Sequence, residues 1–158
     1  RALAGAGIEA MGIADFTGVE EMLDGRVKTL HPLIHGAILA RRDTPQHMTT
    51  LEEQSLPPID LVVVNLYDFE ATVAKEGVIL EEAVANIDIG GPTMLRSAAK
   101  NFKDVAVVTD PEDYEGLIGE LTASEGCLSL ETRFRLAKKV FQLTSQYDKA
   151  IAEYLKSA

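Results

Sequence analysis

Short apolar runs alternate along this chain with stretches whose apolar residues recur every three or four positions. The strongest run is Ile59–Leu66, a β-branched stretch that predicts a strand covered on both faces. Val105–Val108 predicts a second buried strand, and Ile8–Ile13 a weaker third. Helices are predicted where the period lengthens. Ile34–Arg41 carries Ile34, Ile38 and Leu39 on one side. Leu80–Ile87 has Glu81 and Glu82 in its first turn, where the helix dipole favours acids. Gly90-Gly91-Pro92 opens a helix to about Asn101, with proline tolerated in the first turn. Asp110 caps Pro111–Leu121. Ser129 opens a long helix to about Leu155, lined by Leu136, Val140, Leu143, Tyr147, Ile151 and Tyr154. Residues 1–6 read as a helix tail or turn, 15–32 as loop and 45–53 as a polar surface segment, followed by the Pro57-Pro58 break. Strands alternating with helices imply an α/β domain with a largely parallel sheet. In such sheets ligands bind at the carboxyl ends of the strands.

Composition narrows the function more than the fold. The 158 residues suit one domain, with 46% hydrophobic and 25% charged positions. The single cysteine, Cys127, excludes an internal disulfide and suits a reducing, cytoplasmic setting. No apolar run reaches the roughly 20 residues of a membrane helix, and no signal-peptide pattern is present, so no membrane partner is expected. A net charge of −10 argues against nonspecific nucleic-acid binding, which needs a basic face. An anionic small molecule needs only a local positive pocket. Between Gly25 and Arg42 there are four Lys/Arg and no acid.

Four places carry candidate chemistry. Arg26-Val27-Lys28-Thr29-Leu30-His31-Pro32 follows Gly25 and sets two cations two residues apart, as either a solvated basic loop or an anion-binding one. His31 and His35 have the separation of paired metal ligands, but no Cys or carboxylate cluster completes a site, so no metal is expected. Asn65-Leu66-Tyr67-Asp68-Phe69 leaves the strong strand with polar groups, Phe69 being expected in the core. Asp88-Ile89-Gly90-Gly91 precedes a helix, where backbone N–H groups can meet an anion or an oxyanion and Asp88 supplies a carboxylate at the rim. Arg96 and Lys100 lie four apart on one helix face, most simply a solvated basic surface.

Taken in order, GRVKTLHPLIHGAILARRD, IDLVVVNLYDF, NIDIGGPTMLRSAAKN and SLETRFRLAKKVFQLTSQYDKAIAEYL resemble a bifunctional purine-biosynthesis family. That family joins an inosine-monophosphate (IMP) cyclohydrolase domain to a formyltransferase domain. The resemblance spans nearly the whole chain. It implies a methylglyoxal-synthase-like three-layer α/β/α fold with a parallel sheet. It also implies ring closure of formylated aminoimidazole carboxamide ribotide to IMP, without metal or cofactor, in a homodimer. The family carries a strand, a helix and a strand, with a phosphate-holding Ser-Thr-Gly-Gly-Thr loop, ahead of the point matching Arg1. This chain is therefore expected to correspond to a partial cyclohydrolase domain lacking the first strands and the formyltransferase domain. The family's catalytic positions fall on Lys28, Tyr67, Asp88 and Lys100, and its substrate-binding positions on Arg26, Thr29, Asn65, Ile89, Gly90 and Gly91. Asp68 departs from the family's usual proline and adds a negative charge beside this set.

The implied reaction sends a carboxamide nitrogen onto a formyl carbon, with loss of water. A base must take the amide proton, and donors must hold the developing oxyanion. The expected division gives Lys28, Tyr67 and the Gly90 and Gly91 N–H groups to the oxygens. Asp88 and Lys100 move protons as a pair, and Arg26 orients the anionic ribotide. Twelve residues of straight helix span about 18 Å, so the pair requires Asp88 to lie in the loop before Pro92. A regulatory module that binds phosphorylated ligands, and an inactive fragment, are the rival readings.

Overall fold

The computed structural model describes residues 2–157. Its elements in chain order are α1 (Ala2–Gly5), α2 (Ile13–Thr17), α3 (Pro32–Leu39), α4 (Pro45–Glu53), β1 (Leu61–Val63), α5 (Phe69–Val73), α6 (Leu80–Ala85) and α7 (Gly90–Lys100). They are followed by β2 (Ala106–Val108), a 3-10 turn (Pro111–Asp113), α8 (Tyr114–Ala123) and α9 (Leu130–Ser157). Among the described residues no helix is long and apolar enough to cross a membrane.

β1 and β2 pair in parallel, with Leu61, Val62 and Val63 opposite Ala106, Val107 and Val108. The ladder continues one step further through the Val64 N–H to the Val108 carbonyl at 3.0 Å. Helix α7 packs against both strands, α9 against β2 and α7, and α3 against α7. The core at their junction includes Val62, Leu95, Ala98, Val105, Val107, Leu136 and Val140. The result is an α/β fold, mostly helical, around a small parallel sheet.

The sheet is smaller than the apolar pattern predicts. β1 is three residues long, and only Val62 is buried, while Leu61 and Val63 are nearly half exposed. Their neighbours on the same face, Ala106 and Val108, are covered, so packing on that face stops at β2. Ile8–Ile13 forms no strand. Ile8 and Met11 are exposed, and Gly12 donates its N–H to the Asp15 carboxylate at 3.3 Å, which favours a helix start at Ile13.

Two helices were hidden behind polar composition. α4 starts on Pro45, a favourable first helical residue, and buries only Leu51. α5 starts behind Asp68, whose carboxylate accepts the Ala71 N–H at 2.8 Å. Asp68 is thus a helix cap. Phe69 is buried as expected, edge-on to Tyr147 and Tyr154.

Candidate functional site

A cavity of about 450 Å³ opens where β1 ends and α7 begins. Its walls are the turn 24–30, the β1 exit at Val64, Asn65 and Tyr67, and the 84–94 segment that enters α7. Arg26, Lys28, Thr29, Asn65, Tyr67, Asp88, Ile89, Gly90 and Gly91 all line it. The position agrees with the rule that open α/β sheets bind ligands beyond their strand carboxyl ends.

The first wall is a narrow hairpin. Met22 and Val27 exchange both backbone hydrogen bonds, at 3.0 and 3.1 Å. Leu23, Asp24 and Gly25 all have positive φ, +56°, +55° and +82°. Only glycine adopts that region freely, so Leu23 and Asp24 hold a conformation that L residues avoid. Arg26 closes the turn and Lys28 follows the Val27 bridge, and both cations line the cavity. Lys28 Nζ lies 3.0 Å from a Glu21 oxygen, with both side chains about half exposed. An ammonium has three N–H donors, so two remain for a ligand. Glu21 carries no sequence signal of its own. Only the hairpin fold-back places it beside Lys28.

The second wall is the strand exit. The Asn65 side-chain N–H donates to the Thr109 carbonyl at 3.1 Å, tying together the chain segments that leave β1 and β2. Tyr67 makes no side-chain hydrogen bond among the described residues and is about two-thirds exposed at the cavity edge. The Asp68 cap and buried Phe69 fix the backbone immediately after it.

The third wall is set by space. A Cβ at Gly90 would collide with the Thr29 hydroxyl, and one at Gly91 with the Asp88 carboxylate and a Leu66 methyl. The paired glycines therefore let the hairpin and the Asp88 side chain close onto the start of α7. Asp88 Oδ1 accepts the Gly91 N–H at 2.9 Å, and the Asp88 N–H donates to the Tyr147 hydroxyl oxygen at 2.8 Å. Gly91 is thus already engaged and is not a free oxyanion donor, which corrects that part of the expectation. The Gly90 N–H meets no acceptor among the described residues.

Two family models match the chain. The MGS-like domain model matches residues 1–93, and the AICARFT/IMPCHase bienzyme model matches residues 98–158. The chain belongs to the MGS-like domain family. Among solved structures this MGS-like chain is similar to ForH, with 38% sequence identity and a TM-score of 0.79 over 97% of this chain and 80% of that one. With the bienzyme match across its carboxy-terminal part, it is a member of a purine-biosynthesis enzyme family. All the residues that line the cavity up to Gly91 fall within the MGS-like match.

Lys100 is the one expected site residue that lies elsewhere. Asp88 does precede the helix, as the pair required, but Lys100 closes the far end of α7. Ten residues of helix, about 15 Å, separate it from the Gly90 wall. The Asp88–Lys100 pair therefore does not form in this chain. At the carboxyl end of α7 the Lys100 ammonium instead meets the negative end of the helix dipole. Arg96 is likewise a surface cation, with its guanidinium 5.4 Å from the Phe141 ring centre. His31 and His35 make structural contacts. His31 Nδ1 accepts the Leu33 N–H at the start of α3, and His35 Nδ1 is 3.0 Å from the Ser97 hydroxyl.

Away from the cavity, Asp113 is buried beside Arg135 at 2.6 Å and Lys139 at 2.7 Å. Burial opposes its ionisation, but the hydrogen bonds from Lys139 and Arg135 outweigh it and hold the carboxyl below its ordinary range. This cluster anchors the 3-10 turn to α9, which supports the cavity from behind.

Proposed function

We propose that this chain is an IMP cyclohydrolase, closing formylated aminoimidazole carboxamide ribotide to IMP with loss of water. The observation that carries the reading is the convergence, in one cavity, of Lys28, Tyr67 and Asp88 from three separate segments. A ligand sensor needs cations for phosphate. It does not need a phenol and a carboxylate facing the same space.

The reaction joins two groups of one molecule, so alignment supplies much of the acceleration. In our reading Arg26 and Thr29 orient the anionic ribotide, and Asn65 and the Ile89–Gly90 backbone shape its base pocket. Lys28 and Tyr67 donate to the formyl and carboxamide oxygens. The Gly90 N–H adds a donor where negative charge develops on the former formyl oxygen. Asp88 Oδ1 is engaged by Gly91, which leaves Oδ2 to accept the proton as the amide nitrogen attacks. The oxygen then departs as water after gaining protons. No step is assigned to Lys100, and none requires a metal ion.

Replacing Lys28 with Met tests the assignment, because the side chain is half exposed and its loss costs the fold little. Loss of an oxyanion donor lowers turnover by about 100- to 1,000-fold. We expect that drop in IMP formation together with an unchanged melting temperature. Turnover equal to that of the unaltered chain would overturn the assignment.

A further inference from the structure

Tyr147 lies on α9, outside the cavity, yet its contacts reach two of the cavity walls. Its phenol oxygen accepts the Asp88 N–H at 2.8 Å, and its ring packs edge-on against Phe69 with centres 6.3 Å apart. Phe69 is buried two residues after Tyr67, and Asp88 lies on the opposite entry to α7. Tyr147 is itself 9% exposed, clustered with Phe69, Ala83, Ile87 and Ile151. Burial pushes its phenol above the ordinary range, so the hydroxyl stays neutral at physiological pH.

Two hydrogen bonds hold Asp88, one at its carboxylate and one at its backbone. The Gly91 N–H holds the carboxylate, and the Tyr147 oxygen holds the backbone N–H of the same residue. With both ends tied, the side chain has one placement relative to the cavity. With the backbone end released, Asp88 itself keeps only the Gly91 hydrogen bond among the described residues.

We propose that Tyr147 is a positioning residue, which fixes the Asp88 carboxylate for proton transfer by holding the Asp88 N–H from α9. This rests on the ring-closure reading above, in which Asp88 accepts the amide proton. It explains how a helix that lines none of the reaction cavity bears on its chemistry. A misplacement of about 1 Å can cost roughly 100-fold in rate, so a partial release predicts a loss of about tenfold or more.

The test is Tyr147→Phe, which keeps the ring and its packing on Phe69 while removing the hydroxyl. Three readouts are needed: amide hydrogen exchange at Asp88, kcat and KM for ring closure, and the melting temperature. The expected result is faster Asp88 exchange by roughly five- to tenfold, from loss of one hydrogen bond, with kcat about tenfold lower and KM nearly unchanged. Tyr147→Leu, which removes ring and hydroxyl together, should match Tyr147→Phe in kcat per folded molecule and differ from it in a lower melting temperature. Unchanged exchange at Asp88 would show that the bond holds nothing. Faster exchange with kcat intact would leave Tyr147 a packing residue, and either result overturns the proposal. If the unaltered chain closes no ring, the functional reading fails, and the exchange measurement still decides whether Tyr147 fixes Asp88.

Discussion

The hairpin wall and the α7 wall of the cavity are built by different physics. The hairpin presents Arg26 and Lys28 from a turn with three successive positive φ angles, and the Glu21–Lys28 ion pair is half in solvent. Such a pair contributes about 0–1 kcal/mol, so little besides the turn itself sets the Lys28 position. The α7 wall has no such freedom. Two glycines admit Thr29 and Asp88 at contact distance, and Asp88 is tied at both carboxylate and backbone. The difference teaches a division of labour. The cations that meet an anionic substrate sit on an adjustable arm, while the group assigned to proton transfer sits on a rigid one.

That contrast can be broken from the rigid side first. Gly91→Ala places a methyl against the Asp88 carboxylate and Leu66 in a tightly packed spot. We expect a loss of about 1–3 kcal/mol in stability, typical of overpacking, with ring closure largely abolished because Asp88 is displaced. Chemical denaturation alongside the turnover assay measures both. Full activity in the alanine variant would mean that the Asp88 placement is not set by space.

A somewhat smaller effect is expected behind the cavity. Asp113→Asn removes the carboxylate that Lys139 and Arg135 share and should lower stability by about 1–2 kcal/mol, at and below the low end of the roughly 1.5–3 kcal/mol for hydrogen bonds to charged groups because both cations are partly in solvent. The sign of the pH dependence follows from the depressed Asp113 titration. Its contribution is fully present above the ordinary carboxylate range near ~4 and is lost as pH falls through the lowered value. The unaltered protein should therefore lose stability toward acid more steeply than the asparagine variant. Parallel thermal melts across acid pH would reveal it, and identical slopes would count against the pairing.

On the hairpin side, Gly25→Ala forces a Cβ into a left-handed turn position, at a cost of about 1 kcal/mol. Its turnover should fall more than its stability, because the turn aims Arg26 and Lys28. Smallest of all is Glu21→Gln. The melting temperature should hardly move, since an exposed pair contributes so little. KM for the ribotide should fall by about twofold as a competing carboxylate is removed, equivalent to a few tenths of a kcal/mol. A large loss of stability would contradict the view of this wall as an adjustable arm.

Much of this architecture was legible in the chain. The helices α3, α6, α7, α8 and α9 and the two parallel strands follow from apolar spacing and from end signals such as Pro92, Asp110 and Ser129. The four sequence segments also led to nearly all of the cavity lining, because three of them meet where β1 ends and α7 begins. What was missed has identifiable causes. Leu61-Val62-Val63-Val64 looks like a strand buried on both sides, but apolar composition cannot tell how far a covering layer extends. The Ile8–Ile13 alternation lost to a local bond between Gly12 and Asp15. Pro45 marks the start of α4, and Asp68 that of α5, its charge serving the helix end and not the site. The Asp88–Lys100 pair follows from the family's catalytic positions and needs Asp88 folded back over the helix, but Asp88 stays at the start of α7 and Lys100 at its end. Glu21 and Tyr147 could not be linked to the site without the fold, since nothing local marks either one.

The most direct test of the central claim uses the unaltered chain and the formylated ribotide, with mass-resolved detection of product. The account predicts IMP, formed by loss of one water, at a rate proportional to protein concentration and well above the protein-free blank. A ribotide that binds yet closes no faster than in the blank would contradict it.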